Sequence, residues 1–176
     1  MILKNDIYVD LDGTLITNDC FVEQIKLFVF DKPLNIFKLI YYFTFFNKSK
    51  VKKILYYQVG FDINLVVLNL NVIQLLKQFK DQGHKLHLYS GSYYKIVEQV
   101  FNHIDLFQSF EGSSDNKNLT GKFKLNKILS KNNKFIYFGN SFADIPIWKK
   151  AKMGYVVSNS LIAKFKIYKL FRIEVI

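Results

Sequence analysis

Apolar residues along this chain alternate between short runs of strand type and longer stretches of helical spacing. Ile7 to Val9 is a brief β-prone run, and Leu15 to Asp19 reads as the loop that leaves it. Phe21 to Phe30 has helical spacing, with Val22, Ile25 and Val29 on one face, and Asp31-Lys32-Pro33 ends it. Leu34 to Phe46 is a second helical stretch, apolar nearly all round. Ser49 is placed to cap a third, which runs to about Tyr57 and stops at Gly60. Phe61 to Leu68 fits either an extended connection or a helix. Val72, Ile73, Leu75, Leu76 and Phe79 then mark a helix over about Asn71 to Lys80, with Gly83 just past its end. Lys85 to Tyr89 is a strand that leads into Ser90-Gly91-Ser92, and Tyr94 to His103 is a helix. Phe107 to Phe110 is a short strand, followed by the polar loop Glu111 to Asn118; Lys122 to Lys131 is a helix. Phe135 to Phe138 is a strand, Ala143 to Ala151 a helix with Pro146 in its first turn, and Tyr155 to Val157 another strand. Phe171 to Val175 could extend a sheet edge or form a short helix.

Strands alternating with helices predict an α/β fold: a Rossmann-like three-layer α/β/α core with a parallel sheet. The one long gap, between the first strand and the helix at Asn71, is filled by helical hydrophobic sequence. It predicts a small helical cap inserted after the first strand. The core is expected over residues 1–16 and 69–176 and the cap over 17–68. Leu34 to Phe46 is expected to pack within the cap or over the site below it.

Composition changes this picture little. The chain has 176 residues, 50% of them hydrophobic and 17% aromatic, enough for one domain with a modest insertion. Cys20 is the single cysteine, so no intrachain disulfide forms, which suits a reducing cytosol; it reads as a small buried hydrophobe. The first apolar run leads straight into Asp10 and Asp12, unlike a signal peptide, and the greasy region Phe21 to Phe46 carries too many charges to span a membrane. The net charge of +11 favours anionic partners: phosphorylated small molecules, acidic membrane surfaces or nucleic acid. No nucleic-acid-binding motif accompanies the charge, and the basic residues are scattered, so nucleic acid is not expected.

The candidate chemistry sits at strand ends. Asp10 and Asp12 follow the first strand, and Gly13 lets the backbone turn sharply after them. Two carboxylates at a strand's carboxyl end invite a hard divalent cation. In open parallel sheets ligands bind outside these ends, and Ser90, then Asn140 with Asp144, arrive at the corresponding places on later strands. Lys122 and Lys124 start the helix before the last of these. The set suits phosphoryl transfer, with one acid attacking phosphorus, another exchanging protons, and a hydroxyl and a lysine holding phosphoryl oxygens. His84, His87 and His103 share no spacing with the acids and read as structural, as does Trp148.

In this order the residues resemble the motifs of the haloacid dehalogenase (HAD) superfamily: Asp10-Leu11-Asp12-Gly13-Thr14, Ser90 after its strand, a lysine, and Gly139-Asn140-Ser141-Phe142-Ala143-Asp144. More narrowly, Leu88-Tyr89-Ser90-Gly91-Ser92, Asn118-Leu119-Thr120-Gly121 and the GNSxAD run are similar to the HAD-like domain found ahead of UbiA-type prenyltransferases. The resemblance implies a Mg²⁺-dependent phosphatase acting through an aspartyl-phosphate. Asp10 would be the nucleophile and Asp12 the general acid and base. Asp10, the carbonyl of Asp12, Asn140 and Asp144 would hold the metal. Ser90, Gly91 and either Lys124 or Lys122 would bind the phosphate, with Thr14 orienting the nucleophile loop. The sequence departs from the pattern twice. Asn140 stands where many relatives carry an acid, and Thr120 where related domains carry a lysine.

Those departures motivate an alternative, a catalytically weak HAD-like accessory module of a membrane polyprenyl-lipid pathway; a phosphotransferase shares the first chemical step. The expected partner is a phosphorylated small molecule or a lipid-linked phosphate. The expected setting is the cytoplasm, with peripheral contact to the inner membrane face or a prenyltransferase through the aromatic cap segment and the basic tail Lys164, Lys166, Lys169 and Arg172. The chain is expected to be free-standing or a fragment of a longer membrane protein.

Overall fold

The computed structural model describes residues 4–157 and 173–176. The strands are β1 (Asp6–Val9), β2 (Lys85–Tyr93), β3 (Ser109–Ser113), β4 (Phe135–Gly139), β5 (Met153–Val156) and β6 (Ile173–Val175). They form a single sheet in the order β3-β2-β1-β4-β5-β6, and every neighbouring pair is parallel. The helices are α1 (Cys20–Asp31), α2 (Asn35–Phe45), α3 (Lys48–Val59), α4 (Leu70–Asp81), α5 (Tyr94–His103), α6 (Gly121–Leu129) and α7 (Ile145–Trp148).

Side chains of a strand alternate between the two faces of the sheet, and each face here is covered by helices. Ile7 and Val9 of β1 pack with Val72 and Leu76 of α4 and with Ile96, Val97 and Val100 of α5. Tyr8, between them, joins Tyr137 of β4, Ile128 of α6 and Trp148 of α7 on the other side. The expected three-layer α/β/α core is therefore present. The strand order reverses direction at β1, which places a crevice between the carboxyl ends of β1 and β4, where open parallel sheets bind ligands.

Helices α1 to α3 follow β1 and carry their own core of Phe28, Leu39, Val51 and Leu55, which forms the inserted helical cap. Hydrogen bonds from Thr17 N to Val67 O and from Asn69 N to Leu15 O bring the two ends of the insertion together. Only one side of α2 packs. Leu39 is buried, but Phe37, Ile40, Tyr41 and Phe45 are exposed, so the aromatic segment mostly faces outward rather than into the cap.

Local chemistry moved several boundaries. Asn47, not Ser49, caps α3, because its side chain accepts the hydrogen bond from Lys50 N. Phe61 to Leu68 holds a single 3₁₀ turn at Ile63–Leu65 and a bridge from Leu68 to Ile16. The helix expected from Ala143 to Ala151 is shorter, a 3₁₀ turn at Phe142–Asp144 that passes into α7. The strand expected at Phe107 to Phe110 lies two residues later, since the parallel register pairs His87 with Ser109. Ile173–Val175 forms edge strand β6, whereas Phe171 and the basic residues Lys164, Lys166, Lys169 and Arg172 lie outside the described residues. No helix among the described residues is long and apolar enough to cross a membrane. Cys20 and Trp148 are buried. Of the histidines, His84 Nδ1 lies within hydrogen-bond distance of the Asn5 main chain and His87 stacks on Tyr8.

Candidate active site

A cavity of about 280 Å³ opens at the carboxyl edge of the sheet, lined by Asp10, Asp12, Gly91, Ser92, Lys124, Asn140 and Asp144 from the core and by Asp19, Phe21, Lys48 and Lys52 from the cap. Asp10 is held at the end of β1 by its own N–H, which donates to Phe138 O at 3.0 Å. Its Oδ1 accepts from Leu11 N and pairs with Lys124 Nζ, both at 2.9 Å. Gly13, with φ 67°, turns the chain immediately beyond; a side chain there would run into the Asn140 amide, since a Cβ would stand 2.1 Å from its nitrogen.

Asp12 lies across from Asp10 and is held from three sides. Cys20 N donates to its Oδ1 at 2.8 Å, and Ser92 and Ser90 hydroxyls donate to its Oδ2 at 2.6 and 3.3 Å. Ser90 itself is wholly buried and accepts from Ser92 N, so the hydroxyl facing the cavity belongs to Ser92. Ser92 was absent from the sequence-based set. Its signal was there: residues two apart on a strand share a face. Gly91 must be glycine, because a Cβ would come within 2.6 Å of the Thr120 methyl.

Of the two lysines left open by the sequence, Lys124 is buried at the cavity and Lys122 is exposed outside it. Lys124 Nζ also donates to Tyr137 OH at 3.0 Å and lies 3.7 Å from Asp144 Oδ1. Tyr137 OH in turn donates to Asp144 Oδ1 at 2.6 Å. The other Asp144 oxygen accepts from Asn140 N, Ser141 N and Ser141 Oγ. Both oxygens of Asp144 are thus engaged within the protein, bracing the Asn140–Ser141 turn and Lys124. Thr14 is fully buried behind the loop, away from the cavity, and its hydroxyl has no partner among the described residues.

Charge in this site is tightly balanced. Burial pushes the Asp10 carboxyl up to about 7; Lys124 opposes the rise, and Asp144 and Asp12 add to it. Burial works against the Lys124 charge, yet Asp10 and Asp144 hold its affinity for a proton above the ordinary lysine value. A buried carboxylate that stays proton-hungry beside a paired lysine has room for further positive charge.

The cap contributes what sequence reasoning missed entirely. Lys52 of α3 is buried, and its ammonium donates to Gly91 O and, at 3.0 Å, to Asn118 Oδ1. Lys48 stands one turn earlier on the same face, and both ammonium groups sit 5.6 Å from the centre of the Phe21 ring. No motif announces these residues; only the packing of α3 over β2 brings them to the cavity.

No protein-family model matches the chain. It is 26% identical over 159 residues to the uncharacterized protein y4nM of Sinorhizobium fredii, covering 90% of this chain and 31% of that protein. The chain therefore spans about a third of the length of the curated relative it matches. Among solved structures, one similar in fold is a protein of unknown function from Bordetella pertussis Tohama I, with TM-score 0.69, 9% identity and 97% coverage of both chains. A HAD family hydrolase, t0658 from Salmonella enterica serovar Typhi, superposes with TM-score 0.66 at 12% identity over 98% of this chain and 67% of its own. A phospho-aspartyl intermediate analogue of phosphoserine phosphatase does so with TM-score 0.62 at 17% identity, covering 98% and 94%. The chain has the fold of the HAD hydrolases.

Proposed function

We propose that the protein is a HAD-type phosphatase that hydrolyses a phosphomonoester through an aspartyl-phosphate. The observation that carries this reading is the buried Asp10–Lys124 pair, 2.9 Å apart, facing the same cavity as a triply hydrogen-bonded Asp12. An Asp10 oxygen attacks phosphorus, and the bond from phosphorus to the ester oxygen breaks. Asp12 gives its proton to that departing oxygen. A water then attacks the acyl phosphate and loses its proton to Asp12, which releases inorganic phosphate and restores Asp10. Lys124, the Gly91 amide and a hydroxyl of the Ser90–Ser92 segment stabilise the charge that develops on the phosphoryl oxygens.

The site fits a hard divalent cation, and Mg²⁺ is the ion we assign. Lys124 and Leu11 both use Asp10 Oδ1, and the Asn140 amide lines the same cavity. Among the described residues no three His, Cys, Asp or Glu side chains gather into a ready-made ion cage, so the donors would be the Asp10 carboxylate, the Asp12 carbonyl and the Asn140 amide. Asp144, braced on all sides, would position Asn140 rather than bind the ion itself. The cation would neutralise phosphoryl charge during transfer.

The division into a core of residues 1–16 and 69–176 and a cap of 17–68 is part of this proposal, supported by the crossing hydrogen bonds at its ends. The substrate class is a phosphorylated small molecule. The kinship to UbiA-associated domains and any contact with a prenyltransferase or membrane rest on the sequence motifs, together with the outward aromatic face of α2. That face lies in a stretch, residues 32–61, with Lys32, Lys38, Lys48, Lys50, Lys52 and Lys53 and no acid. Co-sedimentation with anionic vesicles at low salt tests the membrane contact, and no binding would remove it. The assembled Asp10–Lys124 pair favours catalysis over the accessory-module reading. The test of function is phosphate release from a panel of phosphomonoesters with Mg²⁺, alongside beryllium-fluoride trapping. An inactive wild type that also fails to trap would end the proposal.

A further inference from the structure

Lys52 presents a problem that the phosphoryl chemistry does not solve. An ammonium ion removed from water is tolerated when a carboxylate pairs with it, as Asp10 and Asp144 do for Lys124. Lys52 is just as enclosed, at 5% exposure, yet its hydrogen-bond partners are the neutral oxygens of Gly91 and Asn118. Among the described residues no carboxylate lies within ion-pairing distance of Lys52 or Lys48. The next lysine on the same helix, Lys53, does have one in Asp115. Lys48 and Lys52 are four residues apart on α3, where like charges repel and weaken the helix. Burial, with Lys48 adding to it, draws Lys52 down to about 8, although the more distant carboxylates of Asp12, Asp19 and Asp10 oppose the fall. Both ammonium groups flank Phe21, and all three side chains line the cavity that holds Asp10 and Lys124. Lys48 is also the first residue of α3, where the helix dipole adds positive potential. The cap therefore presents two ammonium groups and one carboxylate, Asp19, to the cavity whose core wall is built for a phosphoryl group, and neither ammonium is in ion-pairing contact with an acid among the described residues.

We infer that Lys48 and Lys52 form a second anion subsite, and that the preferred substrate is a small phosphomonoester whose leaving group carries another anionic group, a carboxylate or a second phosphate. This rests on the phosphatase reading and sharpens it. The phosphoryl group lies against Asp10, Lys124 and Gly91, and the remote anion supplies the missing partner of the cap lysines. The cavity of about 280 Å³ restricts the class to compact molecules. Phe21, between the two lysines, covers the carbon segment that joins the two anions.

The experiment compares kcat/KM for three esters of similar size: ethyl phosphate, phosphoglycolate and ethane-1,2-diyl bisphosphate. The wild type is expected to favour one of the doubly anionic esters over ethyl phosphate by about tenfold or more, the scale of a charged hydrogen bond. The ester favoured tells carboxylate from phosphate. Lys48→Met and Lys52→Met are expected to collapse that ratio, whereas Lys50→Met, which removes the same charge from α3 away from the cavity, is expected to keep it. Lys48 lies exposed at the rim, so its variant keeps the test open if Lys52→Met does not fold. A wild type with no preference, or a preference that survives in the Lys48 and Lys52 variants, overturns the subsite. A separate arm needs no turnover. Calorimetry with Mg²⁺ should show 3-phosphonopropionate binding about tenfold tighter than propylphosphonate, with the difference lost in Lys48→Met. If no ester is hydrolysed, the phosphatase reading fails, and equal binding of the two phosphonates would still separately refute the subsite.

Discussion

Two buried lysines face the same cavity from opposite walls, and the protein treats their charges differently. Lys124, from the core, is locked between Asp10, Asp144 and Tyr137 in a closed network of charge-assisted hydrogen bonds. Lys52, from the cap, rests on two neutral oxygens, next to a second lysine. The core wall has its lysine fully paired. The cap wall carries two lysines against the single carboxylate of Asp19, with neither lysine ion-paired among the described residues, and that excess of positive charge is where recognition can act. In the proposed function, reaction and selectivity would fall on separate elements, the first on β1, β4 and α6 and the second on α3.

The largest effect that would sharpen this contrast is at the nucleophile. Asp10→Asn keeps the shape of the core wall and should lower kcat/KM by about 10⁴-fold or more, with loss of beryllium-fluoride trapping, measured by phosphate release and fluoride-complex binding. Next is Lys124→Met, which leaves Asp10 and Asp144 buried without their cation. Urea unfolding should show a loss of about 3–5 kcal/mol, and activity should fall by at least about 100-fold. Lys52→Met breaks no ion pair and leaves Ser113 Oγ within hydrogen-bond distance of both Gly91 O and Asn118 Oδ1, so it should cost no more than about 2 kcal/mol. Equal destabilisation by the two substitutions would break the comparison.

Further effects are expected at the metal and at the cap. Chelation of divalent cations should abolish turnover, and Asn140→Asp, which returns a negative charge to the ligand set, should tighten Mg²⁺ by about tenfold in a titration of activity. Lys52 is held down near 8, so its ammonium is charged below that pH and neutral above it. The preference for a doubly anionic ester over ethyl phosphate should therefore be full near pH 6.5 and decline as pH rises through about 8, by about twofold at the midpoint. Taking the ratio of the two esters cancels the titration of Asp10 and of the phosphoryl group, which both substrates share. A ratio independent of pH from 6.5 to 9 would show that Lys52 does not serve the remote anion.

Much of the fold and half of the site were legible in the order of residues. Strand and helix periodicity, with Gly13 at the sharp turn, indicated a parallel α/β core and the place of Asp10, Asp12 and Asn140, because these follow from local alternation and from what a strand end exposes. The choice between Lys122 and Lys124 was not legible, since both lie in the first turn of α6 and only packing against β4 selects which one is buried. Ser92 was hidden behind Ser90 because the strand continues past Ser90 instead of ending there. The family resemblance implied a metal role for Asp144, and the hydrogen bonds that occupy both its oxygens were not legible, because they exist only once Tyr137 and the Asn140–Ser141 turn are folded around it.

The cap shows the limit most plainly. Its residues spell an apolar, lysine-rich helical insertion, and that much the sequence determines, through periodicity and the capping residues at its turns. Which lysines turn inward depends on how α3 lies over β2, a contact between residues 39 positions apart for Lys52 and Gly91 and 66 apart for Lys52 and Asn118. No local pattern encodes an orientation set by such long-range packing. The DxDGT run determined that Asp10 and Asp12 would stand together at a strand end. Tertiary structure alone decided that two cationic side chains would face them across the cavity, because burial and pairing of charge are properties of the assembled walls.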